Sequence, residues 1–345
     1  MRTEVLISND INIAKAAEII KNGGVAAFPT ETVYGLGANA FNVAAVEKIF
    51  IAKGRPSDNP LIVHVADFEG VLGVAQDIPE TVEKLIRLLG PAPLTYVLKK
   101  KACVPDIVTA GLDTVAVRIP ENTVALKLIK SAGVPIAAPS ANSSGRPSPT
   151  AAAHVYDDLN GKIPLILDGG PCGIGVESTV ADFTGEVPVI LRPGGFSKER
   201  LEELLNKTVP IYKKQAGDIA EKVKSPGLKY KHYSPKSRII AVPFNDDTPA
   251  NLAKEYDIQV QKGEKTVIIC LSGFIKPLGN RRTVSMGTDE GEAARSIFGI
   301  FRKYEKEFGV MVCHLLEDSG IGRAYNDRLL RAASAKEIPS IKKKN

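Results

Sequence analysis

Residues 25–56 read VAAFPTETVYGLGANAFNVAAVEKIFIAKGRP and indicate the fold class of the first part of the chain. The apolar run at 25–29 is typical of a short buried strand, and a turn at 30–37 is predicted to follow it. Apolar residues at helical spacing over 43–50 then predict a helix that ends near Lys53. A strand that leads through a turn into a helix is typical of an α/β fold.

The alternation of strands and helices extends in both directions from this stretch. Asn9 or Asp10 is predicted to cap an earlier helix, whose apolar stripe would be Ile11, Ala14, Ala17 and Ile20. Further strands are predicted at 61–65, 95–98, 115–119, 135–138, 165–167, 179–182 and 189–191. Further helices are predicted at 79–89, at 122–132, after Pro147 and at 197–206. The order is not a regular βαβ repeat, so we expect a mixed, twisted sheet with helices packed against it.

Three parts are predicted along the chain. Residues 1–207 form the α/β catalytic domain, and residues 208–237 form a basic linker or lid with turn signals in it. Residues 238–345 are predicted to form a smaller, Rossmann-like α/β domain in βαβαβα order. Its strands are expected at 238–243, 265–271 and 309–315, and its helices at 248–258, 289–307 and 321–335.

Charge is distributed unevenly along the 345 residues, whose formal net charge is +6. Residues 1–210 hold 20 basic and 23 acidic side chains, whereas 211–238 holds 8 basic and 2 acidic ones. The first domain therefore lacks the basic surface of a strong nucleic-acid binder, and we expect no tight tRNA binding. No apolar run is long enough to span a membrane and the N-terminus is polar, so a cytoplasmic protein is expected.

Two short stretches suggest a site for a polyphosphate. Lys53 and Arg55 lie where a helix should end, and a point charge and a planar guanidinium together suit successive phosphates. Residues 140–147 read SANSSGRP, a loop whose hydroxyl, amide and backbone N–H groups suit an anion. Charges that complement the helix dipole, and a Ser/Asn turn that caps the next helix, are the structural alternatives. Neither stretch matches the Walker or the G-x-G-x-x-G pattern.

These stretches belong to a series of motifs that resembles the YrdC-like family, the threonylcarbamoyl-AMP synthases, in its longer two-domain form. The motifs occur in the family's order and reach into the linker. They are PTETVYGLG at 29–37, KGRP at 53–56 with NPL at 59–61, SAN at 140–142, ESTV at 177–180, LRPG at 191–194, SPG at 225–227 and HYSP at 232–235.

The resemblance implies a reaction that joins L-threonine, bicarbonate or CO2, and ATP into threonylcarbamoyl-adenylate with release of pyrophosphate. A tRNA threonylcarbamoyl transferase machinery would then use this product to modify the adenosine at position 37 of tRNA. Mg²⁺ is expected to arrive with ATP, held by phosphates and water. No zinc is expected, because the four cysteines form no C-x-x-C unit. A double-stranded RNA or tRNA-binding module and a carbamoyltransferase are the alternatives.

Site residues follow from the family's motifs and from local chemistry. The L-threonine site is predicted to contain Thr32, His64, Arg118 and Ser178, with Arg118 as the bidentate partner of the carboxylate. The ATP site is predicted to contain Lys53, Arg55, Asn59, Ser140, Asn142, Arg192, Tyr230 and His232, and Lys53 and Arg55 are also the predicted catalytic residues. Asp168 and Glu177 are interpreted as solvated loop carboxylates, so no metal ligand is expected.

Overall fold

The computed structural model of this chain describes residues 2–212 and 233–334. In residues 2–212, eleven strands belong to one sheet. Their bounds are β1 (Glu4–Ile7), β2 (Ala26–Phe28), β3 (Gly35–Asn39), β4 (Ile62–His64), β5 (Ala75–Gln76), β6 (Leu94–Lys100), β7 (Thr114–Arg118), β8 (Ile136–Ala137), β9 (Leu165–Asp168), β10 (Thr179–Asp182) and β11 (Val189–Arg192).

The order of neighbouring strands is β1-β9-β2-β3-β8-β4-β7-β6-β10-β11, and β5 pairs with β6 at one side. Parallel pairs such as β4 with β7 occur beside antiparallel pairs such as β6 with β7. The predicted mixed sheet is therefore confirmed. Because β10 runs parallel to β6 and antiparallel to β7, the start of β10 lies at the same edge of the sheet as the end of β7.

Helices cover the sheet, and apolar side chains from both layers form the core. Their bounds are α1 (Asp10–Lys21), α2 (Val43–Lys53), α3 (Phe68–Val74), α4 (Glu80–Leu89), α5 (Asp106–Thr109), α6 (Thr123–Ala132), α7 (Ala152–Leu159) and α8 (Lys198–Leu205).

The predicted first helix is confirmed as α1, but two of the four residues predicted for its buried face are exposed. Ile11 is 80% exposed and Ala14 is also exposed. The buried face consists of Ile13, Ala16, Ala17 and Ile20. Both stripes have helical spacing, and the packing of α1 against α6 and against strands β2, β3 and β9 selects the second one.

Strand β3 was not predicted, because it begins at Gly35, inside the predicted turn. Three of its five residues, Gly35, Gly37 and Ala38, are small, and its neighbours approach closely. A Cβ atom on Gly37 would lie 2.6 Å from the side chain of Ile136 and 2.7 Å from that of Phe28. Gly37 is therefore required for close packing rather than for a turn.

Residues 233–334 form a second domain around a four-stranded sheet in the order β12-β15-β13-β14. Every strand pair recorded in that sheet is parallel, which confirms the predicted Rossmann-like architecture. Its strands are β12 (Arg238–Val242), β13 (Thr266–Cys270), β14 (Thr283–Ser285) and β15 (Val310–His314), and its helices are α9 (Thr248–Gln261), α10 (Glu290–Tyr304) and α11 (Gly320–Ser334). The short strand β14 was not predicted.

The second domain packs directly against the first. Val33 and Val176 of the first domain share one apolar cluster with Tyr233 and Phe298. Among the described residues, four ion pairs also join the domains: Arg146 with Glu305, Arg302 with Asp158, Arg323 with Glu199, and Arg328 with Glu177. In the part of the chain described here, no helix is both long and apolar enough to cross a lipid bilayer.

Candidate active site

A cavity lies on one face of the large sheet, and Tyr233 of the second domain is among its lining residues. Alternate residues of β4, Ile62 and His64, line it, because side chains two apart on a strand share a face. Arg118 at the end of β7 and Ser178 just before β10 also line it.

The side chains around this cavity are mostly cationic or neutral. Among the lining residues that the structure describes, Arg55, Arg118, Arg146 and Arg192 are the basic ones and Glu177 is the carboxylate. Small hydroxyl and amide groups complete the polar wall: Thr30, Thr32, Ser140, Asn142, Ser148 and Ser178. This composition suits an anionic ligand with more than one negative group.

Lys53 lies behind the cavity wall instead of in it. Its side chain is 4% exposed, and its Nζ donates to the carbonyl oxygens of Ser140, at 2.5 Å, and Asn142. Burial, together with the charge of Arg55, holds the pKa of Lys53 well below its usual value. The structure therefore places Lys53 as a support of the loop that begins at Ser140, and its predicted contact with phosphate stays a prediction.

The loop after β8 is internally hydrogen-bonded. Ser140 Oγ donates to Asn142 Oδ1 at 2.5 Å, and Asn142 Nδ2 donates to the carbonyls of Ser143 and Arg146. The N–H of Ser144 donates to the carbonyl of Lys53 at 2.8 Å, which ties the loop to the end of α2. Ser140 and Asn142 are thus fixed where they line the cavity.

Arg55 and Asn59, two of the predicted ATP-site residues, occupy different environments. Arg55 lines the cavity, and its guanidinium donates to the carbonyls of Asn59 at 3.3 Å and Pro60 at 3.2 Å. Asn59 is buried, and its side-chain amide has no hydrogen-bond partner among the described residues. The structure thus brings Arg55, but not Asn59, to the cavity surface.

Arg118, Thr32 and Glu31 form a buried group at one end of the cavity. Arg118 donates to Thr32 Oγ1 at 3.0 Å and to Glu31 Oε1 at 2.5 Å. Thr32 is also fixed by Thr30, whose hydroxyl lies 2.9 Å away. Glu31 was not predicted as a site residue. Because Glu31 pairs with Arg118, a substrate carboxylate must either bind Arg118 together with Glu31 or displace Glu31 from it.

His64 ends β4 beside Arg118, to which it is paired in register across the sheet. Burial and the charge of Arg118 lower the pKa of His64 to about 3. Its Nδ1 has no hydrogen-bond partner among the described residues. His64 is therefore a neutral imidazole in the cavity wall at physiological pH.

Ser178 and Arg192 meet where β10 begins and β11 ends. Arg192 donates to the carbonyl of Ser178 at 2.9 Å and also approaches its hydroxyl. The Ser178 hydroxyl lies 2.8 Å from that of Thr95 on β6. Arg192 is 4% exposed, and burial lowers its pKa. Both predicted residues are thus held at the cavity by neighbouring strands.

The interpretation of Glu177 as a solvated loop carboxylate is wrong. Its side chain is 6% exposed, and it accepts from Ser148 Oγ at 2.5 Å and from Arg328 Nε at 2.6 Å. Arg328 lies 151 residues further along the chain, so no local pattern could reveal this pairing. Asp168 is half-buried instead of freely solvated, and its Oδ1 accepts from the N–H of Gly170 at 2.9 Å.

Arg146, Ser148 and Tyr233 also line the cavity. Arg146 lies within the predicted 140–147 loop, and Ser148, which the sequence did not single out, directly follows that loop, so its position could have identified it. Tyr233, at 5% exposure, stacks on Phe298 with ring centroids 5.4 Å apart. The predicted ATP-site residues Tyr230 and His232 lie outside the described residues. Among those residues that the structure describes, no group of three metal-ligating side chains is close enough to hold an ion.

The mixed sheet and the arginine-lined cavity define an α/β enzyme for anionic substrates, and comparisons with known proteins make the class specific. A family model named Sua5–YciO–YrdC, described as telomere recombination, matches residues 18–194. A second model, described as the C-terminal domain of threonylcarbamoyl-AMP synthase, matches residues 196–334.

Individual relatives match almost the whole chain. A Bacillus subtilis protein named threonylcarbamoyl-AMP synthase is 42% identical over 97% of each chain. A Pyrococcus abyssi protein of the same name is 44% identical over 94% of each chain. The crystal structure of P. abyssi Sua5 complexed with L-threonine matches with a TM-score of 0.89 and 40% identity, over 97% of this chain and 98% of that one. This chain belongs to the two-domain threonylcarbamoyl-AMP synthase family.

Proposed function

We propose that this chain makes L-threonylcarbamoyladenylate and pyrophosphate from L-threonine, bicarbonate or CO2, and ATP. The observation that carries the proposal is the convergence of Arg55, Arg118 and Arg192 with neutral hydrogen-bonding groups in one cavity. An amino acid carboxylate and a triphosphate both need such cations. The similarity to named synthases over nearly the full chain favours this function over the RNA-binding and carbamoyltransferase alternatives.

The threonine site is proposed at the end of the cavity that contains Arg118 and His64. Arg118 binds the carboxylate, and Thr32 and Ser178 provide hydroxyl groups for the ammonium and the side-chain hydroxyl. His64 is neutral here, so it can accept or donate one hydrogen bond without repelling the ammonium group. A solved relative of similar fold was crystallised with L-threonine, which supports an amino acid site in this fold.

The nucleotide is proposed to lie toward the Ser140 loop. Arg55 and Arg192 bind phosphate oxygens, and Ser140 and Asn142 supply neutral hydrogen-bonding groups beside them. Lys53 acts through the loop, since its ammonium is directed at the carbonyls of Ser140 and Asn142. Asn59, Tyr230 and His232 are kept as proposed members of the ATP site. ATP is proposed to enter as its Mg²⁺ complex, so that the metal is part of the substrate.

The reaction depends on the positioning of its two substrates more than on a nucleophile supplied by the protein. The threonine amine adds to CO2 and loses a proton, which gives a carbamate. A carbamate oxygen then attacks the α-phosphorus of ATP, and the bond to the bridging oxygen of pyrophosphate breaks. Both reactants are anions, so the cavity arginines must offset their repulsion and the charge that develops in the transition state.

The adenylate is proposed to serve a separate tRNA threonylcarbamoyl transferase machinery. The carbamoyl carbon would be delivered from this mixed anhydride to an adenosine of tRNA, a transfer that needs no tRNA site on this chain. The predicted cytoplasmic location stays a prediction.

The test is a pyrophosphate-release assay in which threonine and bicarbonate are omitted in turn. We expect release only when both are present with ATP. Release without bicarbonate would indicate a simple aminoacyl-adenylate chemistry and would contradict the proposal. A filter-binding titration with tRNA over a salt series tests the RNA-binding alternative, for which tight, steeply salt-dependent binding would be required.

A further inference from the structure

Behind the cavity wall, the second domain contributes a buried arginine beside Tyr233, its residue that lines the cavity. Arg328, on α11, has no exposed surface, and its Nε donates to Glu177 Oε2 at 2.6 Å. Its NH2 group donates to the carbonyl of Pro193 at 3.0 Å, next to Arg192. Its guanidinium also lies over the ring of Tyr233, with Cζ 5.2 Å from the ring centroid. This one side chain thus contacts Glu177 and Tyr233, which line the cavity, and the residue that follows Arg192.

Two of these contacts fix groups that line the cavity themselves. Glu177 accepts from Arg328 through one oxygen and from Ser148 through the other. Tyr233 is held between Arg328 and Phe298, and its backbone has a φ of 67°, in the left-handed region that is strained for a tyrosine. A buried carboxylate and a strained tyrosine both need surrounding contacts to persist.

We infer that Arg328 is a positioning residue of the synthesis site: the second domain supplies it to hold Glu177, Ser148 and the Tyr233 ring in the cavity wall. The inference rests on the proposed function, because it assigns Arg328 to the site where the adenylate forms. It also assigns a task to the second domain, which completes one wall of a cavity that the first domain forms only in part.

The charges around Glu177 provide a readout that a purely structural contact would not alter. Burial raises the pKa of Glu177, but Arg328, Arg192 and the hydrogen bond from Ser148 outweigh it and hold the pKa below its ordinary value. Tyr233 also faces this group, and Asp327 pairs with Arg328 on the same helix. Without Arg328, the burial effect is opposed mainly by Arg192, so the pKa of Glu177 should rise.

The experiment compares Arg328→Gln, Arg328→Lys and Glu177→Gln with the wild type. Arg323→Gln is the matched control, because Arg323 is also on α11 and also pairs with the first domain, but its partner Glu199 does not line the cavity, whereas Glu177 does. For each full-length protein, kcat and KM for ATP and threonine are measured between about pH 3.5 and pH 9, and folding is checked by thermal denaturation at each pH.

We expect Arg328→Gln to lower kcat/KM at least about tenfold and to move the acidic limb of its pH profile to higher pH. Arg328→Lys should recover part of the loss, Glu177→Gln should remove the limb, and Arg323→Gln should behave like the wild type. If Arg328→Gln does not fold, the lysine variant and Glu177→Gln carry the test.

Two results would overturn this inference without affecting the proposed function. The first is wild-type kinetics in folded Arg328 variants. The second is a loss of activity that only follows the fraction of folded protein and leaves the pH profile unchanged. An equal loss in Arg323→Gln would also overturn it, since domain contact in general would then be the cause. A wild-type protein that releases no pyrophosphate would instead overturn the proposed function, and the inference with it.

Discussion

Lys53 allows the most detailed prediction, because the structure gives it a task different from direct phosphate contact. Its Nζ donates to the carbonyls of Ser140 and Asn142 from a buried position. Lys53→Met keeps the length of the side chain and removes both hydrogen bonds. The loop should then lose its support, and with it the position of Ser140 and Asn142 at the cavity.

The magnitude follows from the two carbonyl groups. Leaving each of them unsatisfied costs about 1–3 kcal/mol, and removal of a buried ammonium offsets part of this cost. A net destabilisation of about 2 kcal/mol should lower Tm by about 4–8 °C for a domain of this size. Pyrophosphate release should fall at least about 100-fold, the scale for loss of a group that stabilises or positions developing charge.

Thermal denaturation and pyrophosphate release are measured together on Lys53→Met, Arg55→Ala and Lys48→Met. Lys48 is on the same helix and donates to one carbonyl, that of Gly23, from an exposed position, so its variant should change stability by less than about 0.5 kcal/mol. Arg55→Ala should lose activity to a similar degree as Lys53→Met with little change in Tm. Normal Tm and normal activity in Lys53→Met would refute the reasoning.

The remaining predictions concern the amino acid, pH and the linker. Threonine should be preferred to serine by about 10–200-fold in kcat/KM, because the two amino acids differ by one methyl group. Valine should react more slowly still. Equal turnover of the three amino acids would contradict the proposed threonine site. The pKa of His64 is about 3 in the folded protein, below its ordinary value of about 6.5. Between these two pH values the unfolded state therefore binds one proton more than the folded state, and the free energy of unfolding should fall as the pH is lowered. This fall should be up to about 1.4 kcal/mol per pH unit larger in the wild type than in His64→Gln. Identical denaturation curves for the two proteins over that range would contradict this pKa. ATP together with threonine should protect residues 224–236 from amide exchange. Truncation after Asn206 should strongly reduce synthesis, although the first domain still folds. Unchanged exchange, together with full activity of the truncated protein, would mean that residues 208–237 only connect the two domains.

Local sequence patterns predicted most of the fold because each depends on neighbouring residues. The helix at 43–53 follows from apolar residues at helical spacing, and three strands of the second domain follow from short apolar runs that alternate with helical patterns. Apolar spacing did not identify the buried face of a helix where two different faces both have that spacing. Ile11 and Ile13 both fit a helical stripe on α1, and the packing partner decides which is buried.

The site was predicted to the extent that its motifs are local. Thr32, His64, Arg118 and Ser178 do converge on one cavity, as do Arg55, Ser140, Asn142 and Arg192. The direction of the Lys53 side chain could not be predicted, because a lysine at a helix end can reach either a ligand or a nearby carbonyl.

The pairing of Glu177 with Arg328 was beyond sequence reasoning for a different reason. It joins two domains across 151 residues, and neither residue has a local pattern that indicates a partner. Such long-range charge pairs are specified by the packing of the domains, which one sequence does not reveal.

The central claim is that one cavity joins threonine, a one-carbon unit and AMP. Rapid-quench mass spectrometry of a reaction with ATP, L-threonine and ¹³C-bicarbonate tests it most directly, with Arg55→Ala as the control. We predict an adduct that contains AMP and threonine together with the labelled carbon, formed by the wild type and strongly reduced in the variant. An adduct of AMP and threonine without the labelled carbon, or pyrophosphate release with no adduct of threonine, would contradict the account.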